Sequence, residues 1–140
     1  MPELREGAPP NVEFVGRLSR GALPDFYRGA RFSVVPSEWL EAFGIVAAEA
    51  QGYGTPVVVT DVGGLRETIV DGETGLLVPP RNAMAMATAF RRLWDDPALV
   101  ARLSRAGRAR AVAEFTPSVF YRRLAAAYQH AIDLHEGHHA

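Results

Sequence analysis

Residues 31–61 read RFSVVPSEWLEAFGIVAAEAQGYGTPVVVTD. An apolar run of strand length leads into a polar and aromatic loop. An apolar stretch of helical length follows, closed by glycines, and then a second apolar run. Val57, Val58 and Val59 show no polar alternation, as expected of a central strand covered on both faces. Working outward, NVEFVG (11–16) reads as a short strand and LPDFYRGA (23–30) as a helix with Pro24 in its first turn and Gly29 near its end. Downstream, VGGLRETIVDGETGLLVPP (62–80) gives a glycine turn, a short helix from about Leu65 to Val70, a turn, and a last strand at LLVP. Strand and helix therefore alternate, which predicts an α/β fold with parallel strands joined by right-handed crossovers.

The remainder is helical. Asn82 is placed to cap NAMAMATAFRRLWDD, which Pro97 stops; residues 98–115 repeat apolar side chains at helical spacing; and Thr116 and Pro117 open a final helix. A chain of 140 residues fits one domain. The net charge of −1 gives no electrostatic case for nucleic acid or an acidic membrane surface. There is no cysteine, and every one of the 15 basic residues is arginine. No apolar run approaches the roughly 20 residues needed to span a bilayer, and MPELREGAPPN lacks the apolar centre of a signal peptide. A soluble cytoplasmic protein is the expectation.

Ligands of an open parallel sheet sit beyond the carboxyl ends of its strands. That rim collects GRLS (16–19), PSEWLEAFG (36–44), DVGG (61–64) and the turn after LLVPP. The second is the longest and feeds a helix at Gly44, whose first-turn amides at Gly44, Ile45 and Val46 suit a phosphate. Glu49 lies five residues on, a rise of roughly 7 Å, and its side chain leans back toward that end. A carboxylate there matches a ribose diol, whereas an unpaired one among Ile45, Val46, Ala47, Ala48 and Ala50 is costly. Glu41, on the loop side of the same phosphate, is placed to hold the hydroxyls of an attached sugar. Taken singly, each residue has a plainer reading. Glu49 could be in a salt bridge with an arginine and Glu41 could be a solvated loop acid. Glu67 could simply favour a first helical turn, and Arg17 and Arg66 could be surface arginines.

Taken together, the run PSEWLEAFGIVAAEAQGYGTPVVVTDVGGLRETIVDGETGLLVPP resembles the donor-binding region of the retaining, B-fold glycosyltransferases called family four or group one. The shared features are two glutamates with seven residues between them enclosing Phe-Gly, then GTPVV, then GG with an acid shortly after, then DG-TG-LV-P. The resemblance covers roughly residues 11–134. It implies a partial Rossmann-like parallel sheet of three to four strands, with helices on both faces and a helical C-terminus. A polar lead at 1–10 precedes it, and a disordered or tag-like tail at 135–140 follows.

The resemblance implies Glu41 as the catalytic-site residue that holds the donor sugar. Phe43, Gly44 and Ile45 become the segment whose backbone meets sugar and diphosphate, Glu49 the ribose ligand, and Gly16 and Arg17 the loop against the base. It implies a nucleotide-diphosphate sugar as donor, retaining transfer to a hydroxyl acceptor, no cofactor and no metal. The family's Arg and Lys for the diphosphate and its acceptor domain are not matched here. The expected partners are therefore a missing N-terminal half, through which the protein could reach a membrane surface, or a second copy in a homodimer. The chain is expected to be inactive alone. A non-catalytic nucleotide-sugar binding or assembly module is the alternative.

Overall fold

The computed structural model describes residues 5–137. Its centre is the strand read from the three valines. β1 (Ser33–Val35), β2 (Val57–Thr60) and β3 (Leu76–Val78) form a three-stranded parallel sheet in the order β1-β2-β3. All four residues of β2 are buried. Val34 pairs with Val58 on one side and Val58 with Leu76 on the other. Alternate side chains of β2 point to opposite faces, and each face receives its own helices.

Val57 and Val59 join Val35, Tyr27, Ala47, Ala50, Leu65 and Ile69 in one core. These come from α1 (Leu23–Gly29), α2 (Ile45–Gly52) and α3 (Leu65–Thr68) together with the residue after it. Val58 turns the other way to Leu76, Val78, Ala89, Leu93, Leu99 and Leu103, on α4 (Ala83–Asp95) and α5 (Pro97–Glu114). The chain is thus an α/β sheet covered on both faces, as the alternation required.

The helix ends follow their local chemistry. Asn82 Oδ1 accepts from the Ala85 amide at 2.9 Å and starts α4. Asp96 Oδ1 accepts from the Leu99 amide at 2.8 Å, and Pro97 takes the first position of α5, where its missing N–H goes unneeded. The last helix, α6 (Pro117–Gly137), begins at Pro117 as expected. It runs through residues 135–137 of the expected tail; residues 138–140, like 1–4 of the polar lead, lie outside the described residues.

One expected strand is not formed. NVEFVG carries no ladder, and Val12, Phe14 and Val15 remain 47%, 39% and 46% exposed. An outermost strand is hydrogen-bonded on one side only, and these side chains have no layer to bury them. What they gain instead is local: the Val12 amide donates to Pro9 at 3.0 Å, and the Arg5 guanidinium lies 5.1 Å from the Phe14 ring centre. The sheet accordingly has three strands, with β1 at the edge that NVEFVG was expected to cover.

Candidate functional site

The rim beyond the sheet is built by backbone-to-backbone contact. The Gly64 amide donates to the Glu41 carbonyl at 2.6 Å. A methyl group on Gly64 would lie 2.7 Å from Phe43 Cα, and one on Gly63 would lie 2.8 Å from the Glu41 nitrogen. The Gly63-Gly64 pair therefore exists so that loop 41–43 can rest directly on the turn after β2. A second tie comes from Thr60, whose buried hydroxyl donates to the Ser37 carbonyl at 2.6 Å. A third is the ion pair of Arg81 with Glu38 at 3.2 Å, which links the turn after β3 to the same loop.

Gly44 caps α2 in the left-handed conformation, φ 82° and ψ 51°. The sequence suggested glycine here so that a phosphate could approach. The structure supplies another reason, because a side chain on Gly44 would run into the Leu65 side chain of α3. The Gly44 carbonyl accepts from Ala47 and Ala48 at 2.9 and 3.2 Å. The amides of Ile45 and Val46 have no acceptor among the described residues, so the first-turn donors expected from sequence are in place.

Glu49 is exposed, which corrects the expectation of a charge trapped among apolar residues. Its helix turns Ala47 and Ala50 into the core and Glu49, Ile45 and Val46 outward, with Ile45 66% exposed. Among the described residues Glu49 has no ion pair, so the salt-bridge reading falls. Its hydrogen-bond partner is the Tyr27 hydroxyl, which donates to Oε2 at 3.5 Å.

Three adjoining cavities form a groove along this outward face. The largest, about 690 Å³, lies between Phe43 and Ile45 and the start of α6, with Glu67, Phe115, Phe120, Tyr121 and Arg123 in its walls. The next, about 470 Å³, shares Phe43, Ile45 and Phe115 and adds Glu49 and Tyr53. The third, about 360 Å³, shares Glu49 and Tyr53 and is closed by Arg20, Leu23 and Tyr27. Phe43 packs edge-on against Phe115, with ring centres 5.3 Å apart, and so fixes the wall between the first two.

Glu41 is not among the lining residues of this groove. Its backbone is held against Gly64, and its carboxylate stays within its own loop, where Oε1 accepts from Ser37 Oγ at 2.7 Å and Trp39 Nε1 at 3.1 Å. The structure thus brings Phe43, Ile45 and Glu49 to one groove and leaves Glu41 beside it, braced by its own loop. Gly16 is left-handed, φ 67°, in a segment without a strand; Arg17 is exposed, and the arginine that reaches Glu49's cavity is Arg20. Reading the sequence missed Arg20, Tyr27 and Tyr53, since no local pattern joins Tyr27 to a glutamate 22 positions away. It also missed Ser37 and Trp39, although both lie in the loop it singled out. Among the described residues no three histidine, aspartate or glutamate side chains gather as a metal ion would require. No helix there is long and apolar enough to cross a membrane.

The sequence model for glycosyl transferases group 1 matches residues 4–110. Glycogen synthase from Mycobacterium tuberculosis (strain ATCC 25618 / H37Rv) is 41% identical over 104 residues, 74% of this chain and 25% of that protein. D-inositol 3-phosphate glycosyltransferase from Pseudarthrobacter chlorophenolicus is 44% identical over 120 residues, 83% of this chain and 27% of that protein. The chain therefore spans about a quarter of the length of these curated relatives. Among solved structures, sucrose-phosphate synthase from Thermosynechococcus elongatus superposes with a TM-score of 0.84 at 38% identity, over 95% of this chain and 33% of that one. HepE from Anabaena, solved in complex with UDP-glucose, superposes with a TM-score of 0.81 at 25% identity, over 89% of this chain and 34% of that one. The parallel sheet, the rim built on Gly63-Gly64 and these matches agree, and the chain belongs to the group 1 glycosyl transferases.

Proposed function

We propose that this chain is the donor-binding portion of a glycosyltransferase and binds a nucleotide-diphosphate sugar along the groove on α2. Glu49 takes the ribose hydroxyls, the free amides of Ile45 and Val46 take the diphosphate, and Phe43 walls the path between them. Glu41 holds the donor sugar at the rim, and Gly16 and Arg17 lie toward the base. The reaction served is transfer to a hydroxyl acceptor with retention at the anomeric carbon and without a required metal. The chief electrostatic task in such a transfer is stabilising the departing diphosphate, and the helix start at Ile45 supplies part of it. The chain alone binds donor but does not transfer it, and works with the larger remainder of such an enzyme or in an assembly with a second copy.

The observation that carries this reading is Glu49 itself. Among the described residues it is an exposed carboxylate without an ion pair, standing where two cavities meet and near the unpaired amides that begin its own helix. The UDP-glucose bound to HepE makes the uridine form the first to test. Calorimetry with uridine, guanosine and adenosine diphosphates should find one preferred. Glu49→Gln keeps the size and removes the charge-assisted bonds, and should weaken that ligand by about 1.5–3 kcal/mol. Parent affinity in a folded Glu49→Gln would overturn the ribose assignment.

A further inference from the structure

The residue that contacts Glu49 within the protein is more firmly held than Glu49 is. Tyr27 is 6% exposed and belongs to the core around Val35, Ala47 and Ala50. Its ring stacks on Tyr53 with centres 5.6 Å apart and planes 14° from parallel. Its backbone carbonyl accepts from the buried Thr55 hydroxyl at 2.7 Å and from the Ala30 amide at 3.0 Å. The Arg28 guanidinium also lies over the Tyr53 ring, 5.3 Å from its centre. The Tyr27 hydroxyl meets Glu49 Oε2 at 3.5 Å, and both residues line the third cavity. Glu49, by contrast, sits on an exposed helical face with a rotamer-rich side chain.

We propose that Tyr27 is a positioning residue: its fixed hydroxyl orients the Glu49 carboxylate for a ribose diol. The inference rests on the reading of Glu49 as the ribose ligand and adds what holds that ligand in place. At 3.5 Å the contact is longer than a well-formed O–H···O bond, so it holds the carboxylate loosely and leaves it free to take a ligand. An ionised carboxylate has about four acceptor positions, and the one facing Tyr27 leaves the others open to the groove. Burial first, and then the negative charge of Glu49, raise the Tyr27 pKa above its ordinary 10.0, so the hydroxyl remains a neutral donor. Arg20 is the other charged residue lining this cavity. Pre-ordering one flexible side chain strengthens binding by roughly 2- to 10-fold.

Tyr27→Phe keeps the ring and its stack on Tyr53 and removes the donor alone. The test is calorimetry of the full chain with UDP and with its 2′-deoxy and 3′-deoxy counterparts. In the parent, UDP should bind tighter than the deoxy forms. In Tyr27→Phe the UDP affinity should fall about 5-fold, while the deoxy forms change less than about 2-fold, so that the ribose preference shrinks. In a Glu49→Ala background, Tyr27→Phe should add nothing. A general packing defect would weaken all three ligands alike. An undiminished ribose preference in Tyr27→Phe overturns the positioning role, and leaves the reading of Glu49 standing if Glu49→Ala abolishes that preference. No ribose preference in the parent, or an unchanged one in Glu49→Ala, removes the reading of the site and this inference with it. Should Tyr27→Phe not fold, fluorotyrosine-labelled parent chain decides. A Tyr27 signal that moves more with UDP than with the deoxy forms supports the role, and equal movement overturns it.

Discussion

Gly64→Ala sets two effects of opposite sign against each other at one residue. Gly64 has φ −67° and ψ −9°, where alanine is at ease. On backbone grounds alone the substitution should stabilise the fold by about 0.4–1 kcal/mol through the unfolded chain. The added methyl, however, would lie 2.7 Å from both the Ala42 carbonyl carbon and Phe43 Cα, and closer still to the Ala42 carbonyl oxygen. These are backbone atoms that no rotamer change removes. Overpacking of this kind costs about 1–3 kcal/mol. Moving loop 41–43 away also strains the 2.6 Å bond from the Gly64 amide to the Glu41 carbonyl, a further 0.5–1.5 kcal/mol or so. The collision wins, and the net loss should be about 1–3 kcal/mol. In urea, with a slope near 2 kcal/mol/M, the unfolding midpoint should fall by about 1 M at unchanged slope. A midpoint that stays put or rises would refute the account of Gly63-Gly64 as the seat of the site loop.

Three further outcomes can be measured. In Trp94→Phe, which leaves Trp39 as the lone tryptophan, emission should shift on adding a nucleotide sugar and much less with the nucleoside diphosphate, because the sugar competes with the Trp39 indole for Glu41. Ser37→Ala, which removes the 2.7 Å bond to Glu41, should weaken the sugar-dependent part by about 1 kcal/mol; equal responses to both ligands would dissociate Glu41 from the sugar. Light scattering at micromolar concentration should give a mass above that of one chain, and Phe120→Ser with Leu124→Ser, on the exposed apolar stripe of α6, should lower it; a parent chain that is already monomeric refutes self-association.

The parts of the fold legible in the sequence are those whose cause is local. Three consecutive valines have one economical location, between two helical layers, and β2 occupies it. Asn82 caps a helix through a bond spanning three residues, a signal contained within its own turn. NVEFVG failed because strand pairing is a property of neighbours, and alternation within six residues says nothing about whether one is present. The site divides in the same way. The unpaired amides after Gly44 follow from where a helix starts, and were foreseen. The seat of loop 41–43 lies on a glycine pair more than 20 positions downstream, and the side-chain partner of Glu49 is a tyrosine 22 positions upstream. The apolar sequence neighbours of Glu49 suggest enclosure, but on α2 those neighbours divide between a buried face and an exposed one.

Helix α6 is 21 residues long, which at 1.5 Å per residue is a rod of about 31 Å. Its first turns carry Phe120 and Tyr121 in the wall of the largest cavity, and the Arg123 guanidinium donates to the Glu114 carbonyl at 3.5 Å, while the rest stands clear of the sheet. Tyr128 and Ile132 lie about 11 and 17 Å along this rod from Tyr121, so a contact made there would share one continuous helix with the cavity wall while lying outside the groove.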